Sequence, residues 1–192
     1  VPVVTPAIHG ILADGGTVIT ATHRLARTLR LEWDRSQAAS GLQVWPSGDI
    51  LPLDAWIRRS WDEALVLGTP AGRRRLLAEE ESRLLWRRVI AAWANRNGRG
   101  ASEAGVLVPL ASAGWRLAET WGISLLALQD AADSEDARAF VSWAGDYQRL
   151  LQEGQWLDTT GVPQALAADF AAGPVPVPRR MVQLAKQYKI LL

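Results

Sequence analysis

The spacing of hydrophobic positions changes near residue 20. Thr17–Thr20 is a short β-rich run, and from Leu25 onward apolar residues recur at helical intervals. This change predicts a strand that leads through a very short turn into a helix over His23–Arg35. Thr22 is the predicted N-cap, because its hydroxyl can accept a hydrogen bond from an unpaired backbone N–H at the start of the helix.

The predicted helix over His23–Arg35 is amphipathic. Its apolar stripe consists of Leu25, Ala26, Leu29 and Trp33. Its other side carries Arg24, Arg27 and Arg35. We therefore expect one face to pack on a sheet and a basic face to point outward.

Further strands and helices are predicted on either side of this unit. An edge strand over Val3–Thr5 and a short helix over Ala7–Ala13 are expected before it. A polar loop over Ser36–Gly41 and a second strand over Leu42–Trp45 are expected after it. Asp54 is the predicted cap of a helix that runs to Leu67, with Leu65 among its inward residues and Gly68 as its stop.

From Thr69 onward the pattern is helical only. One segment carries Pro109, which predicts an interruption because the residue before a proline disfavours the helical conformation. The expected helical segments are Ala78–Asn95, Ser102–Trp121, Ser134 to Gly154, and Pro163–Ala171.

The fold class predicted from these elements is α/β but mostly helical, with a small piece of parallel sheet. Residues 1–68 are expected to form a partial α/β core, and residues 69–172 a helical lobe. Residues 173–180 are a proline-rich linker. Both lysines and the single methionine lie in residues 181–192, whereas the other basic residues apart from histidine are arginine. We therefore expect residues 181–192 to be a tail of non-native origin, and exclude them from functional reasoning.

Composition changes this picture in three respects. Ten tryptophans, against two phenylalanines and two tyrosines, predict aromatic packing between helices, with base stacking as an alternative role for some of them. A net charge of +1 gives no overall field that would attract nucleic acid or an anionic membrane. The absence of cysteine and of any apolar run near 20 residues favours a cytoplasmic protein without a membrane partner.

Two stretches carry a resemblance to a known family. They are Thr17–Arg30 and Trp45–Arg59, the second of which reads Trp-Pro-Ser-Gly-Asp-Ile-Leu-Pro-Leu-Asp-Ala-Trp-Ile-Arg-Arg. Together they resemble the N-terminal region of bacterial probable DNA repair proteins, a family similar to AddB and RecB. In that family an inactivated superfamily I helicase region precedes a PD-(D/E)XK nuclease domain. The resemblance covers about residues 8–172, since later segments fit the pattern in order: 77–90, 110–121 and 140–158.

The resemblance implies a partial helicase-like core with a helical lobe, and a site for DNA. In superfamily I helicases, the strand–loop–helix after the P-loop helix holds a single strand by its phosphates, and Thr20–Arg30 resembles that segment. The implied DNA-binding residues are Thr22, His23, Arg24 and Arg27. They would supply a hydroxyl, helix N-terminal N–H groups and guanidinium groups to phosphate. The alternative is that these arginines form only the solvated side of an amphipathic helix.

A nucleotide site is not expected. Gly10 to Thr17 has the spacing of a P-loop, but Gly16 stands where the lysine should be. A P-loop also follows a strand and opens a helix, whereas here a strand follows Thr17.

A nuclease or metal centre is not expected either. A PD-(D/E)XK centre needs a carboxylate two residues before a lysine, and the residues in those positions are Leu184 and Gln187. His9 and His23 stand alone without a second ligand at metal-binding spacing. We expect no cofactor and no enzymatic activity from this chain by itself.

The remaining charged residues are expected to be structural. The runs Arg73–Arg75 and Arg87–Arg88 are predicted to be solvated surface. Asp54, Asp158 and Glu79–Glu81 are predicted to be helix caps or first-turn acids.

Two functions follow as expectations. The first is a catalytically inactive superfamily I helicase-like domain of a DNA repair nuclease, acting as a scaffold that engages single-stranded or end-containing DNA. The second is a protein-interaction module that docks the C-terminal nuclease domain or a partner helicase subunit without DNA contact.

Overall fold

A computed structural model describes residues 6–98 and 104–172. The described residues are mostly helical, with four short strands, which confirms the predicted class of a mostly helical α/β fold with parallel sheet. In chain order the elements are α1 Pro6–Ala13, β1 Val18–Thr20, α2 His23–Ala39, β2 Ile50–Pro52, α3 Leu53–Leu67, β3 Arg75–Leu76, α4 Glu79–Arg96, α5 Ala104–Trp121, α6 Leu125–Asp130, α7 Glu135–Glu153, β4 Trp156–Leu157 and α8 Val162–Ala171.

The described residues fall into two compact units. Residues 6–69 and 168–172 belong to the first unit, and residues 70–98 and 104–167 to the second.

The first unit is built on the parallel pair β1–β2. Val18 pairs with Ile50 and Thr20 with Pro52. The predicted strand and the predicted N-cap at Thr22 are confirmed. The core of this unit unites α1, both strands and α2, and its buried members are Leu12, Val18, Ala26, Leu29, Trp33 and Ile50.

Two boundaries in the first unit differ from those predicted. Helix α2 continues through the expected loop to Ala39, because alanines at its end favour helix and the serine hydroxyls bond back to helical carbonyls. The predicted strand over Leu42–Trp45 is wrong, and the strand is Ile50–Pro52 instead. A partner that is distant in the sequence determines which residues form this strand. Val18 N donates to Asp49 O at 2.8 Å, and these two residues are 31 positions apart.

Helix α3 begins two residues earlier than predicted. Asp54 lies in its first turn, and the N-cap is Pro52. Gly68 ends the helix in the left-handed conformation, with φ of 62°, as predicted. Leu65 was expected to face inward, but it is exposed, because the buried face of α3 runs through Ser60, Trp61 and Ala64.

The second unit is built from α4, α5 and α7. Trp86 of α4 stacks on Tyr147 of α7, with ring centroids 4.1 Å apart. Trp115 of α5 meets the Tyr147 ring edge-on at 5.7 Å. Most tryptophans of the described residues are buried or half-buried, so their predicted packing role is confirmed, whereas Trp121 is exposed.

Helices α4 and α7 agree with prediction, but three features of the second unit do not. The segment is not helical only, because β3 and β4 form a two-residue parallel pair with Arg75 opposite Trp156. Helix α6 was not expected. Helix α5 runs without a break past Pro109, because burial of one face against α4 and α7 outweighs the one lost hydrogen bond.

Three predicted segments lie outside the described residues: the strand over Val3–Thr5, the linker over 173–180 and the tail over 181–192. None of the helices in the described part of the chain is long and apolar enough to cross a membrane.

Candidate nucleic-acid interface

Two helices begin at the same edge of the β1–β2 sheet. Strand β1 leads through Ala21 and Thr22 into α2, and β2 leads directly into α3. Because the strands are parallel and Thr20 pairs with Pro52, both helix N-termini lie at the carboxyl edge of the sheet. Ligands of open α/β sheets bind at this edge, and helix N-termini favour anions there.

Thr22 fixes the start of α2. Its backbone is extended, with φ of −143° and ψ of 149°, and its Oγ1 accepts a hydrogen bond from Leu25 N at 3.2 Å. Its carbonyl accepts from Ala26 N at 3.1 Å and from the buried Thr20 hydroxyl at 3.0 Å. The oxygen of Thr22 Oγ1 is thus used by the cap, while its hydroxyl hydrogen can still be donated to an anion.

His23 contacts a residue of the neighbouring helix. Its Nε2 lies 3.0 Å from Asp54 Oδ2, and the two side chains are 77% and 60% exposed. The hydrogen bond from His23 is the largest influence on Asp54 and lowers the pKa of that carboxyl below its ordinary value, with a smaller contribution from the backbone N–H of Ala55. A carboxylate therefore lies next to the N-terminus of α2, where it opposes the binding of a second anion.

Arg24 and Arg27 supply the positive charge of this edge. Both are exposed, and neither forms an ion pair with another described residue. Arg30, one turn further on, donates to Ile50 O and is held against the sheet. His23, Arg24 and Arg27 span an arc of about 100° around α2, so the structure brings the four predicted DNA-binding residues together on one end of one helix.

The pairing of His23 with Asp54 was missed by sequence reasoning. Asp54 was predicted as a helix cap or first-turn acid, and it lies in the first turn of α3, whose N-cap is Pro52. The two residues are 31 positions apart, so a local pattern carries no signal for their contact. The parallel register of β1 and β2 is the feature that brings them together.

A second polar cluster lies at the opposite edge of the sheet. Thr17 Oγ1 donates to Asp49, and Arg59 Nη1 donates to both carboxylate oxygens of Asp49 at 2.9 and 3.1 Å. Arg59 Nη2 also donates to Thr17 Oγ1 at 3.2 Å. Thr17, the hydroxyl residue of the P-loop-like spacing, is buried in this network, where it joins α3 to the start of β1.

The second unit contains a buried carboxylate. Asp158 Oδ2 accepts hydrogen bonds from Trp115 Nε1 at 2.9 Å and from the Tyr147 hydroxyl at 3.1 Å. Its Oδ1 accepts from Thr160 Oγ1 at 2.7 Å and from Gly161 N at 2.9 Å. The second pair closes the turn before α8, which begins only at Val162, so Asp158 is not the helix cap or first-turn acid that was predicted. The first pair joins α5 and α7 and was not predicted.

Burial and the charge of Asp158 change two neighbouring groups. Both effects raise the pKa of the Tyr147 hydroxyl, so this phenol stays protonated and donates to the carboxylate. The same two causes raise the pKa of Glu119 above its ordinary value, burial being the larger. Because its two carboxylate oxygens accept four hydrogen bonds, Asp158 is expected to stabilise the fold of the second unit.

The other predicted charged residues have structural or solvent-facing positions. Glu79–Glu81 occupy the first turn of α4, as predicted, and Glu81 Oε2 accepts from Ala78 N at 2.9 Å. Arg87 and Arg88 are exposed, as predicted. The run at residues 73–75 is not only solvated surface, because Arg74 Nη2 donates to Trp156 O at 2.6 Å.

Within residues 6–98 and 104–172, no group of three or more His, Asp or Glu side chains is arranged so that it could hold a metal ion. No family model matches the chain, and comparisons with curated proteins and with solved structures give no match.

Proposed function

We propose that the chain is a catalytically inactive, superfamily I helicase-like domain of a DNA repair nuclease and that it engages DNA as a scaffold. The observation that carries the proposal is the N-terminus of α2, which is capped by Thr22 at the carboxyl edge of a parallel strand pair and bears the exposed Arg24 and Arg27. This position and these residue types suit the phosphates of a single strand.

The chemistry of the site predicts weak binding that does not depend on sequence. Two guanidinium groups and the first N–H groups of α2 can contact phosphate oxygens, and a helix N-terminus at an exposed site favours an anion by up to about 1 kcal/mol. Asp54 opposes these contacts. We therefore expect an affinity no better than micromolar at physiological salt, as for other binding through phosphate contacts alone.

The proposal includes no ATP-driven step. Gly16 stands where a P-loop carries its lysine, and residues 10–13 belong to helix α1. A motor function would need the side chain that reaches the β- and γ-phosphates.

Titration of a labelled single-stranded oligonucleotide, followed by fluorescence anisotropy, tests the proposal. The double variant Arg24→Gln/Arg27→Gln should weaken binding at least tenfold, since two phosphate contacts are lost. The matched control is Arg87→Gln/Arg88→Gln, which removes the same charge from exposed positions of α4. Equal weakening by both variants would show that only net charge matters, and the proposed site would then be wrong.

A protein-interaction module is the second candidate function. The observation that favours it is a run of exposed apolar residues at the end of α3, which consists of Leu65, Val66 and Leu67. A chain that shows no single-strand binding at low salt would favour this second function.

A further inference from the structure

Helix α5 presents a second apolar face, opposite the one that it buries. Its buried side consists of Val108, Ala111, Trp115 and Ala118, of which the first three pack in the core with α4 and α7. The outward side carries Val106, Leu110, Leu117 and Trp121, which are 76%, 68%, 58% and 73% exposed. With the exposed Ala113 between them, these positions fall within an arc of about 80° around the helix.

The spacing of this outward face is that of a helix–helix contact. Positions 106, 110, 113 and 117 alternate steps of four and three residues, which is the spacing of the seam along which two helices pack. Val106 and Trp121 are about 22 Å apart along the axis at 1.5 Å per residue. A helix on the surface of a single domain needs only one apolar stripe, which packs on the core. A second apolar stripe indicates that another protein surface covers it.

The outward face is also symmetric about its own centre. Val106 and Trp121 are equidistant from the midpoint between residues 113 and 114, and so are Leu110 and Leu117. A two-fold axis through this midpoint places Leu110 of one copy against Leu117 of the other, and Val106 against Trp121. Self-complementarity of this kind is the requirement for an isologous dimer.

We propose that the outward face of α5 pairs with the same face of a second copy of this chain, with the two helices antiparallel. Ala113 lies at the crossing point, where a small side chain lets the backbones approach. This inference is independent of DNA binding, because α5 belongs to the second unit and Arg24 and Arg27 to the first.

Electrostatics allow this pairing. The charged residues of α5 are Arg116 and Glu119. Arg116 is exposed about 100° from the centre of the stripe, and the symmetry places it opposite residue 111, an alanine, so it does not meet its own copy. Glu119 is half-buried on the core side.

The size of the face sets the strength of the contact. The four large side chains together expose on the order of 500 Å², which is near the upper limit for an apolar patch on a monomer. A standard interface buries about 800 Å² on each partner. The face therefore supports a weak dimer that forms with rising concentration.

Sedimentation equilibrium from low-micromolar to near-millimolar concentration tests the proposal with the full chain. The wild type should associate to a dimer, whereas Leu110→Lys and Leu117→Glu should each stay monomeric, since each places two charges against leucines. An equimolar mixture of these two variants should dimerise again, because the antiparallel register joins Lys to Glu at one contact and leucine to leucine at the other. Leu84→Glu is the control, since Leu84 is an exposed leucine of α4 outside the stripe.

Three outcomes would overturn the proposal. They are a wild type that stays monomeric over the whole range, a loss of association in Leu84→Glu as large as in Leu117→Glu, and a mixture that fails to dimerise. Restored association in a mixture of Leu110→Lys with Leu110→Glu, but not with Leu117→Glu, would show parallel helices and contradict the antiparallel pairing. Circular dichroism of each variant confirms that the helices are intact.

Discussion

His23 Nε2 of helix α2 lies 3.0 Å from Asp54 Oδ2 of helix α3. This pair joins the two helix N-termini at the carboxyl edge of the β1–β2 sheet. It also places a negative charge at the N-terminus of α2, the helix that carries the two exposed arginines proposed to contact DNA. The Asp54 carboxylate should therefore weaken the binding of phosphate at the proposed interface.

Asp54→Asn should tighten single-strand binding. Two unit charges about 4 Å apart in water interact with about 1 kcal/mol, so removing the repulsion should raise the affinity up to about fivefold. Anisotropy titration at low salt measures the change. Asp62→Asn, at an exposed position of the same helix, should change the affinity less. An Asp54→Asn variant no tighter than Asp62→Asn would place the phosphates elsewhere.

The ionisation of Asp54 should depend on His23. The pKa of Asp54 is lowered chiefly by the hydrogen bond from His23, so His23→Ala should raise it towards its ordinary value. A lowered folded-state pKa stabilises the fold above the unfolded pKa, and this contribution disappears as the pH falls through the folded value. Carboxyl-carbon NMR titration of both proteins measures the pKa. An unchanged pKa in His23→Ala would mean that the hydrogen bond is absent in solution.

The hydrogen bonds of Asp158 should contribute to the free energy of unfolding of the second unit. Asp158→Asn replaces an acceptor oxygen by an NH₂ group that faces donors, which should lower the free energy of unfolding by at least about 2 kcal/mol. Tyr147→Phe removes one donor and should cost about 1 kcal/mol. Urea denaturation followed by circular dichroism measures both. Asp133→Asn, at an exposed position, is the control and should be neutral; a neutral Asp158→Asn would contradict the network.

Two glycines of α7, Gly145 inside the helix and Gly154 at its C-cap, should change the stability in opposite directions when replaced by alanine. A Cβ at Gly145, inside α7, meets nothing within 4 Å, so Gly145→Ala should stabilise by about 0.5 to 1 kcal/mol through helix propensity. A Cβ at Gly154 would lie 2.3 Å from Cδ2 of Trp156, so Gly154→Ala should destabilise by displacing that ring. Thermal melts compare the two. A shift in the same direction for both would show that Trp156 lies elsewhere.

Features with a local cause could be predicted from the sequence. Thr22 was found as a helix cap because a hydroxyl before an apolar helical pattern is a short-range signal, and it accepts the expected hydrogen bond from Leu25 N. Gly68 was found as a helix end for the same reason.

Features selected by distant partners could not be predicted in this way. β3 and β4 have two residues each, and Arg75 pairs with Trp156 across 81 positions. The strand Ile50–Pro52 carries a proline and no alternation, and its pairing with β1 defines it. The residues proposed to bind DNA were predicted as a group from one helix. Asp54 was predicted only as part of the neighbouring helix, so its contact with His23 was missed.

The salt dependence of single-strand binding tests the central claim most directly. If Arg24, Arg27 and one further arginine contact phosphates, about three neutralised charges give a log–log slope of roughly −2, so a fourfold rise in salt should weaken binding roughly twentyfold. Arg24→Gln/Arg27→Gln should bring the slope close to about −0.7, while Arg87→Gln/Arg88→Gln leaves it unchanged. No single-strand binding by the wild type at low salt, or the same slope in wild type and Arg24→Gln/Arg27→Gln, would contradict the proposed interface.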